Sequence, residues 1–262
     1  MILKPYLQMM VEQRASDFYL SPGVLPQLRL EGRNRSVGKM PLTADQVAQA
    51  IDETLNARER EILEQRWQLE YSYILPEVGR FRFTVFRQRG QLALVVRFVQ
   101  PALPRIRDLG LPLILQDLVM QRQGLVLVVG STGCGKSTTL AAMLQHRNEH
   151  ISGHIITIED PVEFVHDHRN CLVTQREVGV DTESYEVALK NTLRQAPDVI
   201  LIGEIRDRET MEHAIAFAET GHLCLSTLHA NSTNQALDRI INFFPDERRM
   251  QLLMDLSLNL KG

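Results

Sequence analysis

The feature that most constrains this chain is a glycine-rich turn between an apolar strand and a helix. Residues 125–129 read Leu-Val-Leu-Val-Val, which is typical of a buried strand. The next eight, residues 130–137, read Gly-Ser-Thr-Gly-Cys-Gly-Lys-Ser and match the phosphate-loop pattern Gly-x4-Gly-Lys-Ser/Thr at every position. Residues 138–144 have the composition of a helix that opens at this loop. The arrangement predicts an α/β domain with a nucleotide site.

The chemistry of phosphate binding explains why these residue types recur together. Glycines let successive backbone N–H groups turn inward around phosphate oxygens, and the helix N-terminus adds its positive end. Lys136 is predicted to reach the β- and γ-phosphates, and the Ser137 hydroxyl to ligate Mg²⁺. The flanking strand and helix disfavour the alternative of a merely glycine-rich turn. The predicted nucleotide-binding residues are Ser131, Thr132, Gly133, Cys134, Gly135, Lys136, Ser137 and Thr138.

Composition narrows the class of protein. Hydrophobic residues make up 44% of the 262 and charged residues 23%, so the chain can bury a core and stay in solution. A net charge of −3 argues against a nucleic-acid partner held by bulk positive charge. No apolar run approaches the roughly 18 residues needed for a transmembrane segment, and the start lacks a secretory signal. Three scattered cysteines fit a reducing cytoplasm.

The pattern changes along the chain and predicts two domains. Residues 1–100 indicate a small α+β domain, in which residues 80–85 alternate polar and apolar and residues 92–99 return as a second strand. Thr43 and Gln46 have the spacing of a capping box at the start of a helix. Residues 101–110 begin with two closely spaced prolines and read as a linker. In residues 111–262 strands alternate with helices, which predicts a parallel sheet.

Seven arginines lie close together in the second half of the first domain. One interpretation is the solvated face of an antiparallel sheet. A second is that some of them stabilise charge on a neighbouring subunit's nucleotide. A third, a nucleic-acid groove, lacks interleaved aromatic residues for base stacking. The seven are Arg80, Arg82, Arg87, Arg89, Arg97, Arg105 and Arg107.

Charged or phosphate-binding groups follow four predicted strands of the second domain. Ligands of open parallel sheets sit outside the carboxyl ends of the strands. We therefore expect these groups to meet at one edge. Their convergence is stronger evidence for a ligand site than any single residue. The groups are Lys136, the Glu159/Asp160/Glu163 cluster, Glu204 and His229.

The acids at this edge suggest different roles. Glu204 follows an apolar strand as the second phosphate-loop acid does, and is predicted to hold Mg²⁺ or its waters. Glu163 is the better candidate to orient the attacking water, because Pro161 fixes a turn that holds it clear of the strand. Turn capping is an alternative role for Glu159 and Asp160.

The histidines fit a metal site poorly. His222 and His229 flank one predicted strand, so they lie some ~23 Å apart at ~3.3 Å per residue. His229 is then at the active edge, where it can sense the γ-phosphate, and His222 is at the opposite end in a structural or subunit-contact role. Five others cluster in sequence without a Cys-x2-Cys pair to complete a zinc set. They are His146, His150, His154, His166 and His168.

These motifs together resemble the secretion ATPase superfamily and, within it, the type IV pilus retraction ATPases of the PilT/PilU kind. The matching segments are residues 130–140 (Walker A), 158–164 (like the Asp box), 198–207 (like Walker B) and 220–230 (like the His box), with 15–20 and 79–82 like the amino-terminal motifs. The resemblance covers nearly the whole chain. Residues 195–198, 223–227 and 234–245 favour the PilU-like subtype. The tetracysteine zinc element of the export and extension relatives is missing, which favours retraction.

The resemblance implies a cytoplasmic homo-hexamer, peripheral to the inner membrane, that hydrolyses ATP with Mg²⁺. Each subunit would join a PAS-like domain to a RecA-like P-loop NTPase domain, with ATP between them. The ring would drive pilus disassembly for twitching motility through an inner-membrane platform protein, alongside a second retraction ATPase of the same family.

The resemblance also assigns residue roles. Glu163 would be the catalytic carboxylate, Glu204 the acid that holds Mg²⁺ through water, and His229 the γ-phosphate sensor. From the PAS-like domain, Arg82 and Arg97, together with Arg80, would approach the phosphates.

Other interpretations of the chain stay open from the sequence. They are an extension or export motor of the same superfamily, a degenerate ATPase that binds nucleotide and supports a partner motor, and a RecA-like nucleic-acid translocase, which the charge disfavours. A helical stripe of Met250, Leu253, Met254, Ser257 and Leu260 runs up to the last residues, where family members continue with further helices. We therefore expect the natural protein to be longer.

Overall fold

The computed structural model describes residues 1–99 and 103–262. It divides into two compact units, Met1–Pro101 and Ala102–Gly262, each with its own sheet. Residues 101 and 102 of the expected linker lie outside the described residues.

The first unit is an α+β fold built on an antiparallel sheet. In chain order the elements are α1 (Lys4–Glu12), β1 (Asp17–Leu20), β2 (Gln27–Leu30), β3 (Arg33–Ser36), α2 (Ala44–Asp52), α3 (Ala57–Arg66), β4 (Gln68–Leu75), β5 (Gly79–Gln88) and β6 (Gln91–Val99). The strand order in the sheet is β3-β2-β1-β6-β5-β4, and every neighbouring pair is antiparallel.

Alternation along β5 builds the core of the first unit. Phe81, Phe83 and Val85 are fully buried, since successive side chains of a strand point to opposite faces. The predicted capping box is confirmed: the Thr43 hydroxyl accepts from the Gln46 N–H at 3.2 Å, and the Gln46 side chain accepts from the Thr43 N–H at 2.9 Å. Together they fix the start of α2.

The second unit is a parallel sheet with helices between its strands. In chain order the elements are α4 (Ile114–Val119), β7 (Gly124–Val129), α5 (Lys136–His150), β8 (Gly153–Glu159), β9 (Cys171–Glu177), α6 (Tyr185–Thr192), β10 (Val199–Ile202), α7 (Arg208–Glu219), β11 (Leu223–Leu228), α8 (Thr233–Asn242) and α9 (Arg249–Asn259). The strand order in the sheet is β7-β11-β10-β8-β9, and every neighbouring pair is parallel.

The central strand β10 supplies apolar side chains to both faces of the sheet. Ile200 and Ile202 belong to one buried cluster, and Val199 and Leu201 to the other. A parallel strand covered on both faces is apolar without interruption, which is why the sequence Val-Ile-Leu-Ile carries no alternation. Because all the strands run in one direction, their carboxyl ends share one edge.

The last helix, α9, leaves most of the stripe noted in its sequence outside the core. Leu252 and Leu256 are buried, whereas Met250, Leu253 and Met254 are exposed. The helix therefore carries two apolar faces, and the expected stripe lies mostly on the outer one. In the part of the chain that the structure describes, none of the helices is both long enough and apolar enough to span a bilayer.

Candidate functional site

The phosphate loop is a tight turn closed by its own lysine. Helix α5 begins at Lys136, directly after Gly135, whose φ of 95° lies in the left-handed region that favours glycine. The Lys136 Nζ donates to the backbone oxygens of Gly130 and Ser131, at 3.0 Å each. The loop thus curls around the ammonium group at the N-terminus of a 15-residue helix.

One cleft of about 320 Å³ lies at this sheet edge and collects the groups that the sequence places there. Four strand ends contribute to it through Lys136, Glu163, Glu204 and His229. Of the predicted binding loop, Ser131 and Cys134 help to form the turn rather than the cleft wall. The lining residues are Thr132, Gly133, Gly135, Lys136, Ser137, Thr138, Glu159, Asp160, Pro161, Glu163, Tyr185, Gly203, Glu204, Thr227 and His229.

Glu204 is held on both of its carboxylate oxygens. Arg206 Nε donates to Glu204 Oε2 at 2.9 Å, and His229 Nε2 lies 3.3 Å from Glu204 Oε1. Arg206 Nη1 also reaches Asp160 Oδ2 at 3.4 Å, so one guanidinium links the acids after two neighbouring strands. The hydrogen bond to Glu204 raises the pKa of Arg206. Sequence reasoning gave Arg206 no role, and its place two residues after Glu204 was the only signal.

Glu159 lies deeper in the wall than the other acids. The Thr157 hydroxyl donates to its Oε1 at 2.6 Å, and Gln175 Nε2 donates to the same oxygen at 3.3 Å. Burial raises the pKa of Glu159 to about 7, although these two donors act in the opposite direction. The Glu159 carboxyl therefore changes its protonation state near neutral pH.

Three further residues shape the cleft and were missed from the sequence. Gly203 is in close contact with Tyr185, because a Cβ at Gly203 would lie 2.8 Å from the Tyr185 hydroxyl oxygen. Burial raises the pKa of Tyr185 well above its usual value, so the hydroxyl stays protonated. The Thr227 hydroxyl donates to the Gly203 carbonyl at 2.7 Å and ties β11 to the residue before Glu204. Such contacts follow from packing, which periodicity does not reveal.

The three arginines with predicted phosphate roles lie in the first unit. Arg80 and Arg82 are on β5, and Arg97 is on β6 directly opposite Arg82. Arg97 Nε donates to Asp17 Oδ1 at 2.9 Å, and Arg80 Nη2 donates to the Ser72 hydroxyl at 3.0 Å. These two bonds hold the guanidinium groups of Arg97 and Arg80 against the sheet of the first unit.

The histidines separate as expected into one at the cleft and others elsewhere. His222 lies at the amino end of β11, where its Nδ1 is 3.1 Å from the Thr220 hydroxyl. The His146 and His150 rings lie together on one face of α5, tilted against each other with centroids 4.2 Å apart. Across residues 1–99 and 103–262, His, Cys, Asp and Glu form no group of three suited to a metal ion.

Comparisons with known proteins agree with this geometry. The family described as Type II/IV secretion system protein matches residues 84–256. The type IV pilus ATPase PilU of Pseudomonas aeruginosa is 52% identical over 256 residues, which cover 98% of this chain and 67% of PilU. The retraction ATPase PilT of that organism is 41% identical over 251 residues, 96% of this chain and 73% of PilT. A crystal structure of the pilus retraction motor PilT with bound ADP superposes with a TM-score of 0.94 at 40% identity, covering 98% of this chain and 75% of that one.

Proposed function

This chain belongs to the type II/IV secretion system protein family as a type IV pilus retraction ATPase, and from that membership we propose how it works. It hydrolyses ATP with Mg²⁺ as a homo-hexamer on the cytoplasmic side of the inner membrane. The ring acts on an inner-membrane platform protein, together with a second retraction ATPase, as a PilU-like accessory motor. The observation that carries the proposal is the meeting of four strand ends in the cleft beside the phosphate loop.

The donor set of the loop fits a nucleotide. The Lys136 ammonium and the first N–H groups of α5 lie at one wall of the cleft and favour the phosphate oxygens of ATP. Ser137 would hold Mg²⁺ directly and Glu204 would hold it through water, a set of oxygen donors that suits this ion. When bound, Mg²⁺ neutralises charge on the phosphate oxygens.

The remaining groups act on the water and the transferred phosphoryl. Glu163 accepts a proton from the attacking water at its carboxylate and so orients the lone pair toward the γ-phosphate. His229 contacts that phosphate as a sensor and also contacts Glu204, its neighbour in the cleft. Arg82 and Arg97, together with Arg80, stabilise the developing charge as groups from the amino-terminal domain.

The decisive experiment measures ATP hydrolysis with and without Mg²⁺ across a wide range of protein concentration. We expect specific activity to rise with concentration and to be lost in Lys136→Ala and Glu204→Ala. Activity that is flat in concentration would contradict arginines acting in trans. A wild-type chain that binds ATP without hydrolysing it would instead support the partner-dependent interpretation. In the host, deletion should leave surplus pili that do not retract, whereas loss of pili would indicate an extension motor.

A further inference from the structure

The loop that carries Glu163 is anchored to strand β9 at several backbone positions around that residue. The Val162 N–H donates to Glu177 Oε2 at 3.1 Å, one residue before Glu163. One residue after it, the Phe164 carbonyl accepts from Gln175 Nε2 at 2.9 Å. Both anchors come from one strand, so the loop has little freedom to carry Glu163 away from the cleft.

Gln175 makes the largest share of these contacts. Its Nε2 donates to the Phe164 carbonyl and to Glu159 Oε1, while its Oε1 accepts from the His166 N–H at 2.8 Å. A side-chain amide has one acceptor and two donor hydrogens, which suits it to satisfy both kinds of backbone group. The amide therefore joins two points of the loop to the carboxyl end of β8.

The anchoring extends to the backbone of Glu163 itself. The Glu163 N–H is one of the influences that lower the pKa of Glu159, which burial raises more strongly. Gln175 thus holds Glu159 on one side and Phe164 on the other, and Glu163 lies between them. None of these bonds uses the Glu163 carboxylate, and Glu163 lines the cleft.

The scaffold that supports these bonds is the paired strand β9. Gln175 and Glu177 are two residues apart on β9, so their side chains share one face of the strand. Strand β9 pairs with β8 over seven residues, up to the partners Glu159 and Glu177. These bonds therefore fix the position of the loop relative to the sheet.

We propose that Gln175 is a positioning residue for Glu163, whose side-chain amide fixes the backbone on both sides of Glu163 and so holds its carboxylate in the cleft. The proposal rests on the proposed function, in which Glu163 receives the proton of the attacking water. A shift of about 1 Å in a group that acts on the reacting atoms can lower turnover about 100-fold. Gln175 therefore acts on the chemical step and leaves ATP binding to the phosphate loop.

The test compares Gln175→Met with Glu163→Gln and the double variant, in ATP hydrolysis by the full chain. Gln175→Met keeps the side-chain volume and removes every polar contact. We expect kcat to fall at least about tenfold with KM for ATP within about twofold. In the Glu163→Gln background the same change should have little further effect, because the group it positions is already disabled. Gln145→Met is the matched control, since Gln145 is a buried glutamine that bonds Glu149 on α5.

A second variant tests the same bonds by pH. Gln175→Glu replaces the donor amide with a carboxyl beside Glu159, so the bond to the Phe164 carbonyl survives only while that carboxyl is protonated. We expect its kcat, relative to wild type, to be higher near pH 6 than near pH 8, because the protonated carboxyl keeps one of the two donors of the amide. A merely structural role predicts a constant ratio. This variant also decides the matter if Gln175→Met does not fold.

The outcomes separate the two proposals. Glu163→Gln with wild-type activity would overturn the role of Glu163 and this inference with it. An inactive Glu163→Gln beside a normal Gln175→Met would overturn positioning alone. Positioning would also be overturned if Gln175→Met raised KM for ATP at unchanged kcat, or if its effect added fully to that of Glu163→Gln. An equal loss of kcat in Gln145→Met would overturn it as well.

Discussion

His229 Nε2 lies 3.3 Å from Glu204 Oε1, and the two residues follow the neighbouring parallel strands β11 and β10. The second carboxylate oxygen of Glu204 is taken by Arg206. A carboxylate held at both oxygens has a fixed orientation, which the role toward Mg²⁺ that we propose for Glu204 requires.

The first prediction concerns His229. His229→Gln should lower ATP turnover about 10- to 100-fold, because Glu204 loses a neighbour and, in the proposed function, the γ-phosphate loses its sensor. Nucleotide affinity should change much less, since the phosphate loop is untouched. Steady-state kinetics with a binding titration checks this. His213→Gln on α7, where His213 packs on Phe217, serves as control. Equal losses in both variants would contradict the assignment.

A second prediction follows from Glu159. Its carboxyl releases a proton near pH 4.5 when unfolded and near pH 7 when folded, so the folded chain binds more protons between these values. The free energy of unfolding should therefore decrease as pH rises from about 4.5 to about 7, by about 2 kcal/mol after allowance for solvent screening.

Glu159→Gln should remove most of this pH dependence and raise the melting temperature at pH 8. Melting curves across the pH range measure the effect, with the exposed Glu64→Gln on α3 as control. A Glu159→Gln chain with the wild-type slope would show that another group titrates.

A third prediction tests the close contact at Gly203. A Cβ there would lie 2.8 Å from the Tyr185 hydroxyl oxygen, 3.2 Å from Glu159 Cα and 3.3 Å from the Ile158 carbonyl oxygen. Gly203→Ala should therefore destabilise the chain by about 1–3 kcal/mol and reduce turnover through displacement of Glu204. Adding Tyr185→Phe removes the nearest atom and should recover part of the stability. Urea unfolding of both variants provides the measurement, and a neutral Gly203→Ala would contradict it.

A fourth prediction concerns the pair Arg97 and Asp17 in the first unit. Asp17 is buried, with its Oδ1 bonded to Arg97 Nε and its Oδ2 to the Ser16 hydroxyl. Arg97→Gln should lower the free energy of unfolding by about 1–3 kcal/mol, because a buried carboxylate loses its charged donor. Arg33→Gln, at an exposed position on β3, should have an effect within about 0.5 kcal/mol.

If Arg97 also acts in trans, Arg97→Gln should reduce turnover at protein concentrations where the wild-type chain is fully active. Kinetics at a temperature well below melting separates this effect from instability. Normal turnover in a folded Arg97→Gln chain would leave the residue with its structural role alone.

The site edge could be predicted because β7, β8, β10 and β11 are apolar runs followed by polar groups, and parallel strands end at one edge. The elements missed in the first unit lack such a pattern. Strand β3 reads Arg-Asn-Arg-Ser and is exposed throughout, and α3 buries only Leu63. Neither shows the periodicity from which an element is inferred.

Side-chain partners were harder to predict than positions. Gln175 and Tyr185 meet the site through tertiary contacts with segments distant in sequence, as Arg206 does through Asp160. The face of α9 illustrates the same limit, because Met250 and Leu252 are both apolar and only packing decides that Leu252 is buried.

The spatial order of the sheet also bears on how the protein is made. Strands β7 and β8 are consecutive in the chain, yet β10 and β11 lie between them. A nascent polypeptide that has emerged only as far as β9 holds the phosphate loop and Glu163 without the strands that bring them together. Pairing of distant parallel segments is slow, since the intervening chain must be ordered first. The nucleotide site therefore forms late in biosynthesis, and an unfinished chain has no assembled site at which ATP could be hydrolysed.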